Sequence, residues 1–463
     1  MRVLRRRAAA VVALAAAAFL ALGSPAAARN KFDTQLLAHV GSPGYPGLSL
    51  VGPDRTIYVG TFTNAMGSDT GPSKVFAYSP TGQLLRTYTI TGQTPGAAHG
   101  VQVAARDAHG LLYLLDQNPP RVLTLDPRTG AQATYGTFRD VMPCVPATPP
   151  ADCSDTVMDN PPEPDYAAWG PDGTLYVTDY QQAVIWRVPP GGGAAHVWFT
   201  DPQIDGSMFG PAGIVLMPDH RTLMFDTSGG GVTTPGNPLT GQLYTLGIQA
   251  NGRPGTLHQI WESGPKEAPD GFALAQSGNV YMALVGPATN QLVELSPAGT
   301  ELGRFPSDTS GNNGTSVPFD EPSSVQFDGQ RMIVTNDAFF SGDPSHFALF
   351  DVWAGEPGAP LFVPGLPSGG GGGGAGAGAY RLTVKPRVAD LGDEYDFRFH
   401  ATLSGRSLRG ALVRFVGETV RTNGQGNATI DATLRRAKRY TARLTRGSSS
   451  KTLARAIVRA VRR

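Results

Sequence analysis

Asp116, Asp165, Asp179, Asp226 and Asp270, with His99 and Asn336, occupy matching places in a sequence phrase that recurs six times. Carboxylates gathered in this way do one of two jobs. They hold a hard cation through oxygen, or they move protons in acid–base catalysis. Like charges brought close raise one another's pKa or demand a cation. Calcium takes six to eight oxygen ligands and accepts waters among them, so calcium or another divalent cation is the simplest occupant.

The phrase is a turn with Pro or Gly, an apolar strand, a polar turn, and a second β-branched or aromatic strand. It spans 45–61 (YPGLSLVGPDRTIYVGT), 98–116, 163–179, 210–226, 268–284 and 321–336, with starts 47 to 65 residues apart. Two further strand-like runs follow most copies, such as 183–188 then 195–199, and 291–295 then 301–305. Four strands per copy make a propeller blade. The expected fold is all-β: a six-bladed β-propeller over 29–367, with residues 34–40 able to supply an outer strand to the last blade. A pair of β-sandwiches is the competing fold, and the regular phrase argues against it.

In an up-and-down blade, the residue before the first strand and the end of the second share one face. Pro46, His99, Asp165, Ala212, Asp270 and Ser323 therefore meet Thr61, Asp116, Asp179, Asp226, Leu284 and Asn336 at a channel mouth. His99 is either a satisfied channel histidine or a general base, and Asp179 and Asp226 are either turn caps or site residues. Asp172 and Asp219, in the Pro-Asp turns at the other end, read as backbone caps. The long loops 137–162, 227–240 and 337–346 fall on the mouth face, as lids and substrate walls usually do. The first of them holds Asp152, Asp155 and Asp159.

Residues 1–28 read as a signal peptide: Arg2, Arg5, Arg6 and Arg7, an apolar run, then Ala26-Ala27-Ala28. The expected location is secreted and extracellular, either free or associated with the cell envelope, where Cys144 and Cys153 would form a disulfide. Two cysteines cannot make a tetrahedral zinc site. A Gly/Ala linker at 368–379 leads to a small Ig-like β-sandwich at 380–463. That tail carries 19 Lys and Arg against 6 Asp and Glu, whereas 29–379 carries 15 against 31. The basic tail suits an anionic cell-envelope polymer. Nucleic acid is not an expected partner, because no reading element accompanies the charge. A monomer is expected. No Gly-x-Ser-x-Gly, His-Glu-x-x-His, Walker or dinucleotide signature is present.

The propeller resembles the superfamily of senescence marker protein, gluconolactonase and luciferin-regenerating enzyme, with strictosidine synthase and NHL-repeat propellers more distant. The likeness rests on Pro269-Asp270-Gly271-Phe272 with Gly278-Asn279-Val280-Tyr281, on 210–226, and on 171–179. It implies a divalent cation on the channel axis and hydrolysis of a lactone or ester. The family's Pro-Asp-Gly aspartate matches Asp270. Its Asn falls on Ala212 and its early Glu near Pro46, so Asp165 and Asp226 stand as substitute ligands, or the metal is structural or absent. The tail resembles bacterial Ig-like domains at 408–415 and 422–428. Two functions follow as expectations. One is a metal-dependent lactonase or esterase using His99, Asp165 and Asp226 as catalytic groups and Asp165, Asp226 and Asp270 as ligands. The other is a non-catalytic propeller binding a glycan or protein, held at the envelope by its tail.

Overall fold

A computed structural model describes residues 29–63, 71–144, 152–155, 160–205, 209–229, 240–286, 289–364, 380–386, 388–403, 406–436, 438–445 and 454–461. The expected signal peptide, the Gly/Ala linker and Asp159 lie outside the described residues.

Each copy of the phrase forms the first two strands of an antiparallel meander. In the third copy, Pro164–Trp169 pairs with Leu175–Asp179, which pairs in turn with Val184–Val188. The turn between the first two strands is set by Asp172, whose Oδ1 accepts the Thr174 N–H at 3.0 Å. Asp219 does the same for Arg221 and Thr222 at 2.8 and 2.9 Å. A short polar side chain that bonds two residues ahead fixes the reversal, and every residue of Leu175–Asp179 is then buried.

The first strands are Ser49–Val51, Val101–Arg106, Pro164–Trp169, Phe209–Leu216, Pro269–Leu274 and Pro322–Asp328. Each packs against the first strand of the next sheet, and the sixth returns to the first, so six small sheets stand in a ring. Apolar side chains such as Trp186, Phe225 and Phe350 fill the spaces between sheets, each fully buried. The ring closes through its N-terminal segment. Thr34–His39 pairs antiparallel with Ala348–Trp353 and becomes the outer strand of the sixth sheet. Arg29 and Arg331 both hold Asp351, and Arg331 and Arg55 both hold Asp328, tying the sixth sheet to the first.

The end away from the starts of the first strands is apolar. Leu48, Val103, Trp169, Phe272 and Phe327 line a cavity of about 80 Å³ there. The chain crosses that end after its last ring strand: Gly358 N–H donates to Gly329 O at 3.0 Å and Ala359 N–H to Leu274 O at 2.7 Å, bringing Phe362 into the lining.

Cys144 and Cys153 are bonded, nine residues apart. Closing so short a loop contributes at most about 2.7 kcal/mol in the chain-entropy relation. The Cys144→Ser, Cys153→Ser variant is expected to melt no more than a few degrees below wild type in a calorimetric scan, roughly what 1–2 kcal/mol gives in a chain of this size. A collapse of the main transition would contradict this.

The tail forms two sheets. One holds Tyr380–Lys385, Glu394–Leu403, Arg406–Ser407 and Asn427–Thr433. The other holds Val388–Asp390, Leu412–Phe415, Glu418–Arg421, Arg439–Thr445 and Ala454–Val461. Phe397, Phe399, Phe415, Ile430, Leu444 and Val458 share one core. The run 381–388, which reads as a single strand, is split between the two sheets. Pro386 interrupts it, since a proline has no N–H to continue a ladder.

Candidate active site

The starts of the first strands surround a cavity of about 130 Å³. His99, Gln102, Glu163, Asp165, Asp270, Ser323 and Asp337 supply its polar lining, and Phe62, Tyr180, Phe209, Phe339 and Phe340 its aromatic walls. The sequence-expected His99, Asp165 and Asp270 are thus brought together. Asp226 does not line the cavity but lies beneath it, near Asp270 and Asp165. Gly213 makes that approach possible. A Cβ there would sit 3.0 Å from Asp226 Oδ2 and 3.0 Å from the Asp270 carbonyl oxygen. Gly271 does the same for Tyr166, whose hydroxyl would lie 2.4 Å from an added Cβ.

Four carboxylates gather here with no Lys or Arg ion pair to any of them among the described residues: Asp165, Asp226, Asp270 and Asp337. Burial is the first cause pushing each one up. Asp165 is raised further by Asp270 and Glu163, while Gln102 Nε2 donates to it at 3.0 Å and opposes the shift. Asp226 is raised by burial and then by Asp270 and Asp165. The amides of Gly213 and Ala212 lie near enough to favour its charge, yet neither completes a hydrogen bond, and both carboxylate oxygens are buried without a partner. Asp270 is pushed up to about 8 by burial, with Asp337 adding to it and the Tyr166 hydroxyl opposing it. One oxygen each of Asp270 and Asp337, and Oε1 of Gln102, are also buried without a partner. Orphaned carboxylate oxygens in a low-dielectric site need a proton or a cation.

Glu163 at the rim is pushed up to about 7 by burial, against Tyr180 and Gln181, which lower it. His99 is 3% exposed, and its Nδ1 lies 2.8 Å from Ser73 Oγ.

The other mouth positions turn into loops. Asp116 is held by Arg121 at 2.8 Å and accepts from Gln93 Nε2 at 2.8 Å. Asp179 accepts the N–H groups of Glu163, Gln181 and Gln182 and the Trp186 indole, so of its two readings the cap is the one seen. Asn336 accepts from Asp320 N and donates to the carbonyls of Pro318 and His346. None of these three is among the residues that line the cavity, although Gln117 and Asp337, next in sequence to Asp116 and Asn336, are. The three fix the loops that carry its walls.

Asp337, Glu163 and Gln102 are absent from the residues picked out in the sequence. Asp337 had a signal: it follows Asn336, the last paired residue of its strand. Facing alternates along a strand, so a count that stops one residue early selects the wrong side chain. Glu163 also had one. It opens Glu-Pro-Asp, and Glu321 opens the sixth copy in the same way, likewise pushed up to about 7 by burial.

Among the described residues, no group of three or more His, Cys, Asp or Glu side chains is arranged to hold a metal ion as it stands. Loop 337–346 is pinned through Asp320, which accepts from Ser341 Oγ at 2.6 Å and lies 2.7 Å from His346 Nδ1. In loop 137–162, Asp152 holds Arg139 and His196.

No protein-family model matches the chain, and no curated protein does. Solved structures do. Virginiamycin B lyase from Staphylococcus aureus is 15% identical, over 70% of this chain and 99% of that one, with a TM-score of 0.44. A calcium-binding protein, regucalcin, from Agrobacterium tumefaciens is 16% identical over 71% and 97%, at 0.45. A luciferin-regenerating enzyme is 13% identical over 71% and 98%, also at 0.45.

Proposed function

We propose that the protein is a secreted, monomeric six-bladed β-propeller that hydrolyses a small lactone or ester in its mouth cavity, followed by an Ig-like domain. The observation that carries this reading is the set of orphaned oxygens on Asp226 and Asp270 beneath an aromatic-walled cavity. The donor set is all oxygen, acidic and buried, which fits calcium or another hard divalent ion. Asp165, Asp226 and Asp270 would hold it, and it would supply polarisation of the substrate carbonyl.

The chain's own residues do the rest. The phenyl rings of Phe62, Phe209, Phe339 and Phe340 exclude water and pack on the apolar part of the substrate. Gln102 Oε1 is an open acceptor for a substrate hydroxyl. Glu163, half protonated near pH 7, takes the proton of the attacking water and returns it to the leaving oxygen. His99 is the other base within the cavity, with its Nδ1 oriented by Ser73.

The test is a panel of lactones and esters given to the mature protein, with and without chelator, beside Asp270→Ala. Loss of one such group is expected to lower the rate about 10²-fold or more. Equal rates for wild type and Asp270→Ala would sink the proposal. Calcium calorimetry on the same two proteins is expected to show one site, absent in the variant.

A second reading, a non-catalytic propeller that binds a glycan or protein, is favoured by Ala212 and Pro46, which stand at two of the ligand positions the resemblance implies. It predicts saturable ligand binding that survives chelation.

A further inference from the structure

The second sheet of the tail carries an unusual arrangement of charge. Its pairing register places Arg414 opposite Arg443 and Arg443 opposite Arg455, so three arginines stand side by side across three neighbouring strands. Arg439 stands opposite Arg459 in a second row. All five are exposed. The alternating residues Val413, Ala442, Leu444, Ala456 and Val458 face the core, so the five arginines share the outer face. No carboxylate pairs with any of them among the described residues, where the ion pairs all lie within residues 29–351. Like charges directly opposite destabilise a sheet, so this order weakens the domain unless something anionic lies across it.

We infer that this face binds a linear, phosphodiester-bearing polymer of the cell envelope. Neighbouring strands are about 4.8 Å apart, and four residues along a strand span roughly 13 Å. Five guanidinium groups over such an area exceed what one small anion can engage, and they suit a chain of phosphates. Each planar guanidinium can hold a phosphate through two N–H groups. Thr419, Thr441 and Ile457 stand among them, with Leu412 and Arg421 at one edge and Val388 and Asp390 at the other, and none of these offers an aromatic platform on which a base could stack. The other sheet is mixed in sign, with Lys385 opposite Arg398. There, Asp396 stands opposite Asp431, and its hydrogen bond and charge raise the proton affinity of Asp431.

Fluorescently labelled poly(glycerol phosphate) titrated with the whole mature chain tests this. Binding is expected at 50 mM salt and should weaken at least tenfold by 200 mM, as displaced counterions dictate. R414Q/R443Q/R455Q should lose at least tenfold in affinity. K385Q/R398Q/R409Q removes the same charge elsewhere in the tail and should change affinity less than threefold. Melting of R414Q/R443Q/R455Q without polymer should occur at or above the wild-type temperature, which separates lost contacts from misfolding. No binding by the whole chain, equal weakening by the two triple variants, or duplex DNA bound as tightly as the polymer would each overturn the inference. The first outcome is also what an arginine face occupied by the acidic ring of the same chain would give.

Discussion

Stripped of divalent cations, the protein is expected to melt at progressively lower temperature as pH rises from 5 to 8.5. Asp270 is pushed up to about 8, Glu163 and Glu321 to about 7 and Asp179 to about 6, while Asp165, Asp226 and Asp337 are also raised, all chiefly by burial. For a carboxyl raised by folding, the stabilising contribution is fully present below its unfolded value, near 4. It is lost as pH climbs through the folded value, because ionisation then favours the unfolded chain. At Asp219 and Asp328 burial is outweighed by hydrogen bonds and, for Asp328, by Arg55 and Arg331, so both are held low. Their contribution is already complete above pH 4, so they do not mask the trend. A tenfold change in proton affinity between the folded and unfolded chain corresponds to about 1.4 kcal/mol. A few such groups should therefore move the melting temperature by at least roughly 5 °C over this range.

The same charges specify the control. Asp226→Asn keeps the shape and removes one unpartnered anion, so it should flatten the fall and raise the melting temperature at pH 8.5. Calcium added at pH 8.5 should restore wild type but not Asp270→Ala. A melting temperature that is flat or rising with pH in the chelated protein would mean that these carboxyls are not held protonated by burial. The pH series reads stability and the lactone panel reads turnover, so failure of one is distinguishable from failure of the other.

How far the sequence carries the site follows from how each residue type earns its place. The ends of the first strands were legible because Pro and Gly punctuate them, and this found His99, Asp165 and Asp270. The ends of the second strands were legible only to within one residue. The sequence pattern places Asp116, Asp179 and Asn336 at the channel mouth, and in the structure they bind Arg121, backbone amides and loop carbonyls. A short side chain at a strand end has both choices, and sequence pattern does not separate a cap from a ligand. Phe339 and Phe340 came as part of a loop, but their role as cavity wall depends on Asp320 and Glu321. Glu321 accepts the Phe340 N–H at 2.5 Å, and neighbouring Asp320 accepts from Ser341. That partnership links residues about 20 apart through the fold. In the tail, the count of basic residues was plain, but their alignment was not. Only the register of Arg439–Thr445 against its neighbours turns a net charge into a row.

Deleting residues 29–40 is expected to cost the ring its cooperative unfolding, or at least roughly 10 °C in melting temperature. Thr34–His39 is the outer strand of a sheet whose other three strands lie more than 280 residues later, so this pairing fastens one end of the ring to the other. Without it, Ala348–Trp353 becomes an open edge, a ready template for intermolecular pairing. Side chains leave with the strand. Phe32 stacks on Phe305 at 5.2 Å and meets Tyr281 edge-on at 6.4 Å, so it packs on the fifth sheet, while Arg29 holds Asp351 of the sixth. Asp351 retains Arg331 while Glu294 loses Lys31, and these two surface-side ion pairs are not the main effect. The larger effect is that the first and sixth sheets are then held together without strand pairing, by side-chain packing, the Arg55–Asp328 pair, the Arg331 bond to Pro80 O and the hydroxyl bonds of Ser323 and Thr335 to Gly47 O. Calorimetry on the truncated protein reads the transition, and light scattering reads association through the new edge. A synthetic peptide of residues 29–40 should recover much of the loss when added in excess, because it stabilises by binding the folded ring. An unchanged melting temperature after truncation would show that the ring is closed by its inner packing alone, and that the N-terminal strand covers an edge without fastening it.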